Sequence, residues 1–159
     1  MAYFFASCPG GLADLVEKEL QSFGLKTWEK TTGGVVFESN WAGCYKANLN
    51  SRFASRILKP VLDFTAYQND ELYNNILKHD FTKYIKPNQT LSIDAVVKDC
   101  MLHDQRFVAM KVKDAIVDQF RDKFGIRPDV SNENPSLKVH IRGVKNQFAV
   151  AVDTAGDSL

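Results

Sequence analysis

The stretch RFVAMKVKDAIVDQFRDKFGIRP, residues 106–128, decides the fold of the second half of this 159-residue chain. At about 100° per residue, its apolar side chains fall on one broad arc of a helix, formed by Val108, Val112, Ala115, Ile116, Phe120 and Phe124. Gly125 stands where a left-handed C-cap is favoured, and Pro128 follows it. The pattern predicts a long helix over 105–124 that is the main core element of its domain.

The segments around this helix alternate between helical and extended patterns. Apolar spacing after an acidic start predicts a helix over 70–79, and a short turn follows over 81–85 before Pro87. β-prone runs predict three strands, over 91–97, 137–142 and 147–153. The second half therefore reads α-α-β-α-β-β.

The first half has a different order of elements. A strand is predicted over 3–7, a helix over 12–23 ending at Gly24, and a hairpin joined across Gly33 and Gly34. A second helix over 41–55 and a strand over 57–65 complete the order β-α-β-β-α-β, which is the ferredoxin-like pattern. We expect an α/β protein of the α+β kind, with one domain over 1–65 and another over 66–159.

Bulk charge does not direct this chain to polyanions, because 20 Lys and Arg balance 19 Asp and Glu. A nucleic-acid site must come from local clustering, and residues 101–145 hold nine basic against six acidic side chains. The cysteines Cys8, Cys44 and Cys100 form no CxxC pair, which argues against a disulfide framework or a zinc site. They are predicted to be reduced, buried thiols.

Catalytic and membrane signals are missing from the sequence. The three histidines are scattered, and no HExxH, GxSxG, GxGxxG or Cys/His metal spacing occurs. No apolar run is long enough to cross a membrane, and the N-terminus lacks a basic leader. We expect a cytoplasmic protein with no membrane partner, no metal, no cofactor of its own and no catalytic centre in this chain.

Two cations of the long helix occupy an unusual place. Arg106 and Lys113 fall at about 160° and 140°, inside the edge of the apolar arc. They either snorkel, with apolar stems covering the core, or form a ridge that follows RNA phosphates. Lys111 lies on the polar face, where pairing with Asp114 or Asp118 is favoured over an RNA contact.

Further candidates lie after the helix and before it. Arg127 follows the helix, and Lys138 and Arg142 share one strand face with His140, so they can extend the ridge or simply face solvent. Phe107 can stack on a base or belong to the core. Arg52 and Arg56 lie four residues apart on one predicted helical face, where they either contact a second phosphate or complement the dipole of the helix C-terminus. The structural role is favoured.

A family resemblance rests on blocks that occur in order along the chain: FASCPGGLADLVEKEL (5–20), GGVVFE (33–38), SRFASRIL (51–58), RFVAMKVKDAIVDQFRDKFGIRPDV (106–130) and NENP (132–135). They resemble the N-terminal part of bacterial 23S ribosomal RNA guanine-N2 methyltransferases, a family often labelled adenine-specific DNA methylases. In that family a ferredoxin-like domain precedes a THUMP domain, which is an RNA-binding α/β module. The resemblance covers essentially the whole chain.

The resemblance implies RNA binding by the THUMP-like region, where Lys111, Lys113, Arg127 and Asn134 lie in the shared blocks. It also implies an S-adenosylmethionine-dependent methyltransferase domain in cis beyond Leu159, to which this region presents a 23S rRNA hairpin. Two alternatives stay open: a docking domain that orients the catalytic domain with little RNA affinity, and a targeting domain of a DNA methylase.

Overall fold

A computed structural model describes residues 2–131, 133 and 135–154. The chain forms two compact units, one over residues 2–60 with 153 and 154, the other over 61–152. Each unit mixes helices with strands, which confirms the predicted fold class. The domain boundary between residues 65 and 66 stays a prediction.

The first unit follows the predicted β-α-β-β-α-β order. Its elements are β1 (Ala2–Ser7), α1 (Ala13–Ser22), β2 (Lys26–Thr31), β3 (Gly34–Ser39), α2 (Trp41–Asn50) and the start of β4 (Arg56–Thr65). The strands pair antiparallel in the order β2-β3-β1-β4. Apolar residues of α1, α2 and one sheet face form the core, which includes Phe4, Val16, Leu20, Phe37 and Cys44.

The predicted second helix is too long, because α2 ends at Asn50 and not at residue 55. The Glu19 carboxylate of α1 accepts hydrogen bonds from Ser51 Oγ at 2.7 Å, Arg52 N at 2.8 Å and Phe53 N at 3.3 Å. These bonds hold the backbone extended from Ser51, whose ψ is 132°. Arg52 therefore lies in a loop and Arg56 begins β4, so the two do not share a helical face.

The second unit contains α3 (Asn69–Ile76), a 3-10 turn (Phe81–Lys83), β5 (Thr90–Lys98), α4 (Gln105–Phe124), β6 (Asp129–Val130), β7 (Leu137–Val144) and β8 (Gln147–Asp153). Its strand order is β4-β8-β7-β5-β6, in which β5 runs parallel to β6 and β7 while β7 and β8 are antiparallel. The predicted α-α-β-α-β-β order is confirmed, with the two-residue β6 added. The helix α3 ends three residues early, since Lys78 and His79 donate to the carbonyls of Asn75 and Ile76 in a tighter turn.

The long helix α4 matches its predicted span and terminator. Gly125 adopts φ 73°, and its N–H donates to Arg121 O at 2.8 Å. Five of the six predicted core side chains are fully buried, and Val117 joins them at 2% exposure. Phe124 was predicted to be core and is 44% exposed, because it stands at the margin of the apolar arc in the last position of the helix.

The sheet of the second unit has one covered and one open face. Alternate residues of β7, Val139 and Ile141, are buried in the same core as Val112 and Ile116 of α4. Lys138 and Arg142 point to the other face and are exposed. Within the described part of this unit, the helices pack on the covered face alone.

Cys44 is buried as predicted, whereas Cys8 and Cys100 are only partly buried, so the prediction of three buried thiols is wrong for two of them. All three are free thiols, and burial raises the pKa of Cys44. Among the described residues no helix has the length and hydropathy needed to cross a membrane.

Candidate nucleic-acid interface

The N-terminal end of α4 is stabilised by its own N-cap. Asp104 Oδ1 accepts from Arg106 N at 3.0 Å and from Phe107 N at 3.4 Å. The capping carboxylate occupies the position in which a helix N-terminus would otherwise hold an anion. Any anion contact at this end must therefore come from side chains, and Arg106 is exposed while Phe107 is half-buried.

Hydrogen bonds tie the loop before α4 to the turn between β7 and β8. Met101 N donates to Asn146 Oδ1 at 2.7 Å, and Asn146 N contacts Cys100 Sγ at 3.4 Å. Lys145 N donates to Lys98 O at 3.1 Å, so two exposed lysines leave the fold side by side. The loop is thus fastened at both of its ends.

Three exposed cations, Lys98, Arg106 and Lys145, belong to segments that hydrogen bonds join at this end of the unit, and we call them the loop-end patch. Gln105 Oε1 accepts from Val97 N at 3.1 Å, which holds the start of α4 beside the end of β5. Sequence reasoning included Arg106 but missed Lys98 and Lys145. The left-handed turn at Lys145 and Asn146, with φ of 51° and 68°, places Lys145 there, and no spacing rule indicates it.

The two lysines in the middle of α4 are engaged within the protein. Lys113 keeps 31% of its side chain exposed, and its Nζ lies 3.1 Å from Asp114 Oδ1. This geometry favours the snorkelling interpretation, with the stem against the core and the charge at the surface. Lys111 Nζ lies 5.9 Å from the ring centroid of Tyr73. The expected pairing of Lys111 with Asp118 is not seen, since Asp118 accepts from Tyr73 and pairs with Arg121.

The remaining predicted residues lie in two other places. Arg127 is exposed beyond the C-terminus of α4, a helix of 20 residues, and therefore stands about 30 Å from Arg106 along the helix axis. Lys138 and Arg142 are exposed on the open sheet face, so the sheet separates them from α4. For Lys138 and Arg142, solvent exposure is therefore the alternative that the structure supports, and they do not extend a ridge along α4. Asn134 lies outside the described residues.

The described side chains offer anion-binding groups and no assembled acid-base or metal cluster. No group of three His, Cys, Asp or Glu within reach of a metal occurs among residues 2–131, 133 and 135–154. His140 Nδ1 lies 3.6 Å from Asp94 Oδ2 across the parallel pair β5 and β7. That contact is structural in character, because it joins two neighbouring strands.

Comparison with known proteins identifies both halves of the chain. Residues 3–58 match the model of the RlmL ferredoxin-like domain, and residues 66–153 match the model of the THUMP domain. A relative from Cellvibrio japonicus, Ribosomal RNA large subunit methyltransferase K/L, is 35% identical over 98% of this chain. This chain spans about a fifth of the length of the curated relatives that it matches first, 21% in that case.

Solved structures share the fold. SMU.472, described as a methyltransferase complexed with SAH, is 26% identical, covers 96% of this chain and 41% of its own, and has a TM-score of 0.84. A 4-thiouridine synthetase in an RNA complex with bound ATP is 12% identical, covers 95% of this chain and 40% of its own, and has a TM-score of 0.58. The second likeness concerns the fold alone.

Proposed function

Because this chain belongs to the THUMP domain family and carries an RlmL ferredoxin-like domain ahead of that domain, we propose that it binds structured RNA and presents it to a methyltransferase domain of a longer protein. The RNA is a ribosomal RNA hairpin of the large subunit. S-adenosylmethionine is bound by that catalytic domain and not by the residues described above. The methyltransferase relatives, several times longer than this chain, support the proposal.

The loop-end patch is the observation that carries the RNA-binding part of the proposal. Its three cations come from the end of β5, the start of α4 and the β7–β8 turn, and hydrogen bonds fasten these segments to one another. Two exposed acids, Asp99 and Asp104, lie in the same loop and keep their charge, Asp104 as the N-cap of α4, so three cations exceed two acids here. Segments held in place by hydrogen bonds suit phosphate binding, because less of the backbone must be ordered when the ligand binds.

One RNA helix can reach both ends of α4. Arg106 and Arg127 are separated by about 30 Å, and double-stranded RNA modules follow roughly 16 base pairs through phosphate and 2′-hydroxyl contacts. Lys138 and Arg142 face the side of the sheet away from α4, where Arg142 lines one groove with Lys145 of the loop-end patch. We assign Lys138 and Arg142 no place on that track. Lys111 and Lys113 lie along α4 between its two ends and contribute less, since each already contacts Tyr73 or Asp114.

The test compares two charge-matched double variants. A fluorescent RNA hairpin is titrated with the wild type, with Arg106→Gln/Arg127→Gln and with Lys138→Gln/Arg142→Gln, at several salt concentrations. We expect the first variant to lose roughly tenfold in affinity at low salt and the second to bind like the wild type. Equal losses would show an effect of net charge and not of contacts, whereas a loss confined to the second variant would move the site to the open sheet face. Binding that is absent, or independent of salt, in the wild type would overturn the proposal.

A docking role is the second candidate, and the open sheet face favours it. Val96 is 57% exposed and Val144 is 36% exposed on that face. An exposed apolar surface of this kind suits a protein contact. Under this alternative the Arg106→Gln/Arg127→Gln variant leaves the activity of the longer protein unchanged, whereas Val96→Ser lowers it. Competition of duplex DNA against the RNA hairpin separately tests a DNA-targeting role.

A further inference from the structure

A second cationic surface lies at the opposite end of α4 from the loop-end patch. The segment after α3 and the last turn of α4 enclose an open groove of about 470 Å³, lined by Thr82, Lys83, Tyr84, Lys86, Gln89 and Phe124. We call it the C-terminal groove. None of its residues was singled out as an RNA contact by the sequence.

Three lysines supply the charge of the groove. Lys83 and Lys86 are exposed on its wall, and Lys123 reaches it by donating from Nζ to Thr82 Oγ1 at 3.2 Å. A favourable interaction with the helix dipole explains Lys123, one of two basic residues in the last turn of α4, but does not explain Lys83 and Lys86. The surplus of positive charge favours an anionic ligand.

Acidic groups near the groove are few and occupied. The Asp80 carboxylate accepts from Thr82 N at 2.9 Å and also from Thr82 Oγ1, and these bonds, with Lys123 and Lys83 nearby, lower the pKa of Asp80 despite its partial burial. Asp122, an acid of the last turn of α4, acts electrostatically on Tyr73 of α3 and is not among the residues that line the groove. Among the described residues, those that line the groove include no acid, and Asp80 lies next to the wall near Lys83 and Lys123.

An aromatic ring completes the groove. Phe124 is 44% exposed, with the buried Phe120 ring 6.0 Å away and Lys123 Nζ over the Phe124 ring, 5.5 Å from its centroid. The other wall is firm, because Lys86 N donates to Gln89 Oε1 at 2.7 Å and Tyr84 Oη lies 2.7 Å from His79 Nε2. A supported aromatic ring beside lysines is the arrangement that binds single-stranded nucleic acid, with a base on the ring and phosphates on the cations.

We propose that the C-terminal groove binds an unpaired RNA segment, with one base stacked on Phe124 and its flanking phosphates on Lys83, Lys86 and Lys123. This inference deepens the proposed function and rests on it: the loop-end patch takes the paired part of the RNA, and the groove takes a single strand that continues from it. The distance of about 30 Å between the two surfaces lets one RNA occupy both.

The experiment measures the affinity of the whole chain for three fluorescent RNAs: a blunt duplex, the same duplex with a 3′ overhang of uridines, and the uridine strand alone. The wild type is compared with Phe124→Ser and with Lys83→Gln/Lys86→Gln. Matched controls are Met110→Ser, another exposed apolar residue of α4, and Lys18→Gln/Lys46→Gln, two exposed lysines of the first unit.

We expect the overhang to raise affinity about tenfold over the blunt duplex, and both groove variants to lose that gain while keeping blunt-duplex binding. The controls keep the gain. Groove variants that bind the overhang like the wild type would overturn the inference, as would an acidic peptide that competes as well as the uridine strand. A third outcome is that the wild type does not bind the blunt duplex but binds the uridine strand in a way that needs Phe124. Binding of paired RNA, as in the proposed function, is then overturned, whereas binding of a single strand at the C-terminal groove is supported.

Discussion

The phenolic hydroxyl of Tyr73 donates to Asp118 Oδ2 at 2.6 Å, and this bond joins α3 to α4. The same ring lies beneath Lys111 Nζ at 5.9 Å, and the same carboxylate pairs with Arg121 at 3.3 Å. A polar cluster therefore seals the outer edge of the helix pair above its apolar core. Lys111, which the sequence suggested as an RNA contact, therefore interacts with Tyr73 within this cluster.

Replacing Tyr73 with Phe keeps the ring and removes the bond to Asp118. We expect the free energy of unfolding to fall by about 1 kcal/mol, at the low end for a bond to a charged group because the pair is partly exposed. The hydrogen bond to Asp118 is the main cause that raises the pKa of Tyr73 above 10.0. The stabilisation by this hydrogen bond is thus complete below pH 10, where tyrosine is protonated in the unfolded chain as well. It is lost as pH rises through the pKa of Tyr73 in the folded protein. Urea unfolding at pH 7 and at about pH 11 checks this, and an equal deficit at both pH values contradicts it.

Glu19→Gln tests the loop that ends α2. Burial acts to raise the pKa of Glu19, but the hydrogen bonds from Ser51, Arg52 and Phe53 outweigh it and the pKa is lowered from 4.5. A lowered pKa stabilises the fold above the unfolded value, and that contribution disappears as pH falls through the folded value. We expect a loss of about 1–2 kcal/mol at pH 7 that shrinks toward zero at low pH. Fluorescence of Trp28 and Trp41, both in the first unit, follows the unfolding.

Gly143→Ala tests the close packing between β7 and β8. A Cβ at position 143 would stand 2.4 Å from the Phe148 ring, which is itself stacked on Phe64 at 5.6 Å between centroids. We expect a loss of about 1–3 kcal/mol from overpacking, seen as a lower midpoint of urea unfolding. Gly10→Ala is the control, since a Cβ there meets nothing within 4 Å. Similar midpoints for the two variants would contradict this packing.

The salt dependence of RNA binding tests how many phosphates the loop-end patch engages. Each lost phosphate contact lowers the slope of log affinity against log salt by about 1. Lys98→Gln/Lys145→Gln is therefore expected to flatten the slope by about 2, with Lys18→Gln/Lys46→Gln as a charge-matched control that leaves it unchanged. A slope that both double variants change equally would show an effect of net charge and not of contacts.

Local periodicity was enough to predict most of the fold. The span of α4 and its end at Gly125 follow from side chains within one helix and from the freedom of glycine at positive φ. The order of elements in both units follows in the same way, because each strand and helix has its own apolar period. The error at the end of α2 had a tertiary cause, because Glu19, 32 residues before Ser51, accepts hydrogen bonds from the groups that follow Asn50. The error at the end of α3 had a local cause, the tighter turn at Lys78 and His79.

The candidate site was predicted less well, because it depends on which distant segments meet. The sequence by itself determined that Arg106, Arg127, Lys138 and Arg142 are surface cations and that α4 is a core helix. Only the tertiary structure decided that a sheet separates Lys138 and Arg142 from α4, that Lys98 and Lys145 join Arg106, and that Phe124 is exposed beside Lys83 and Lys86. The apolar period of a segment predicts which of its side chains are buried and which are exposed. The residues that lie next to those side chains depend on long-range strand pairing and on hydrogen bonds between loops.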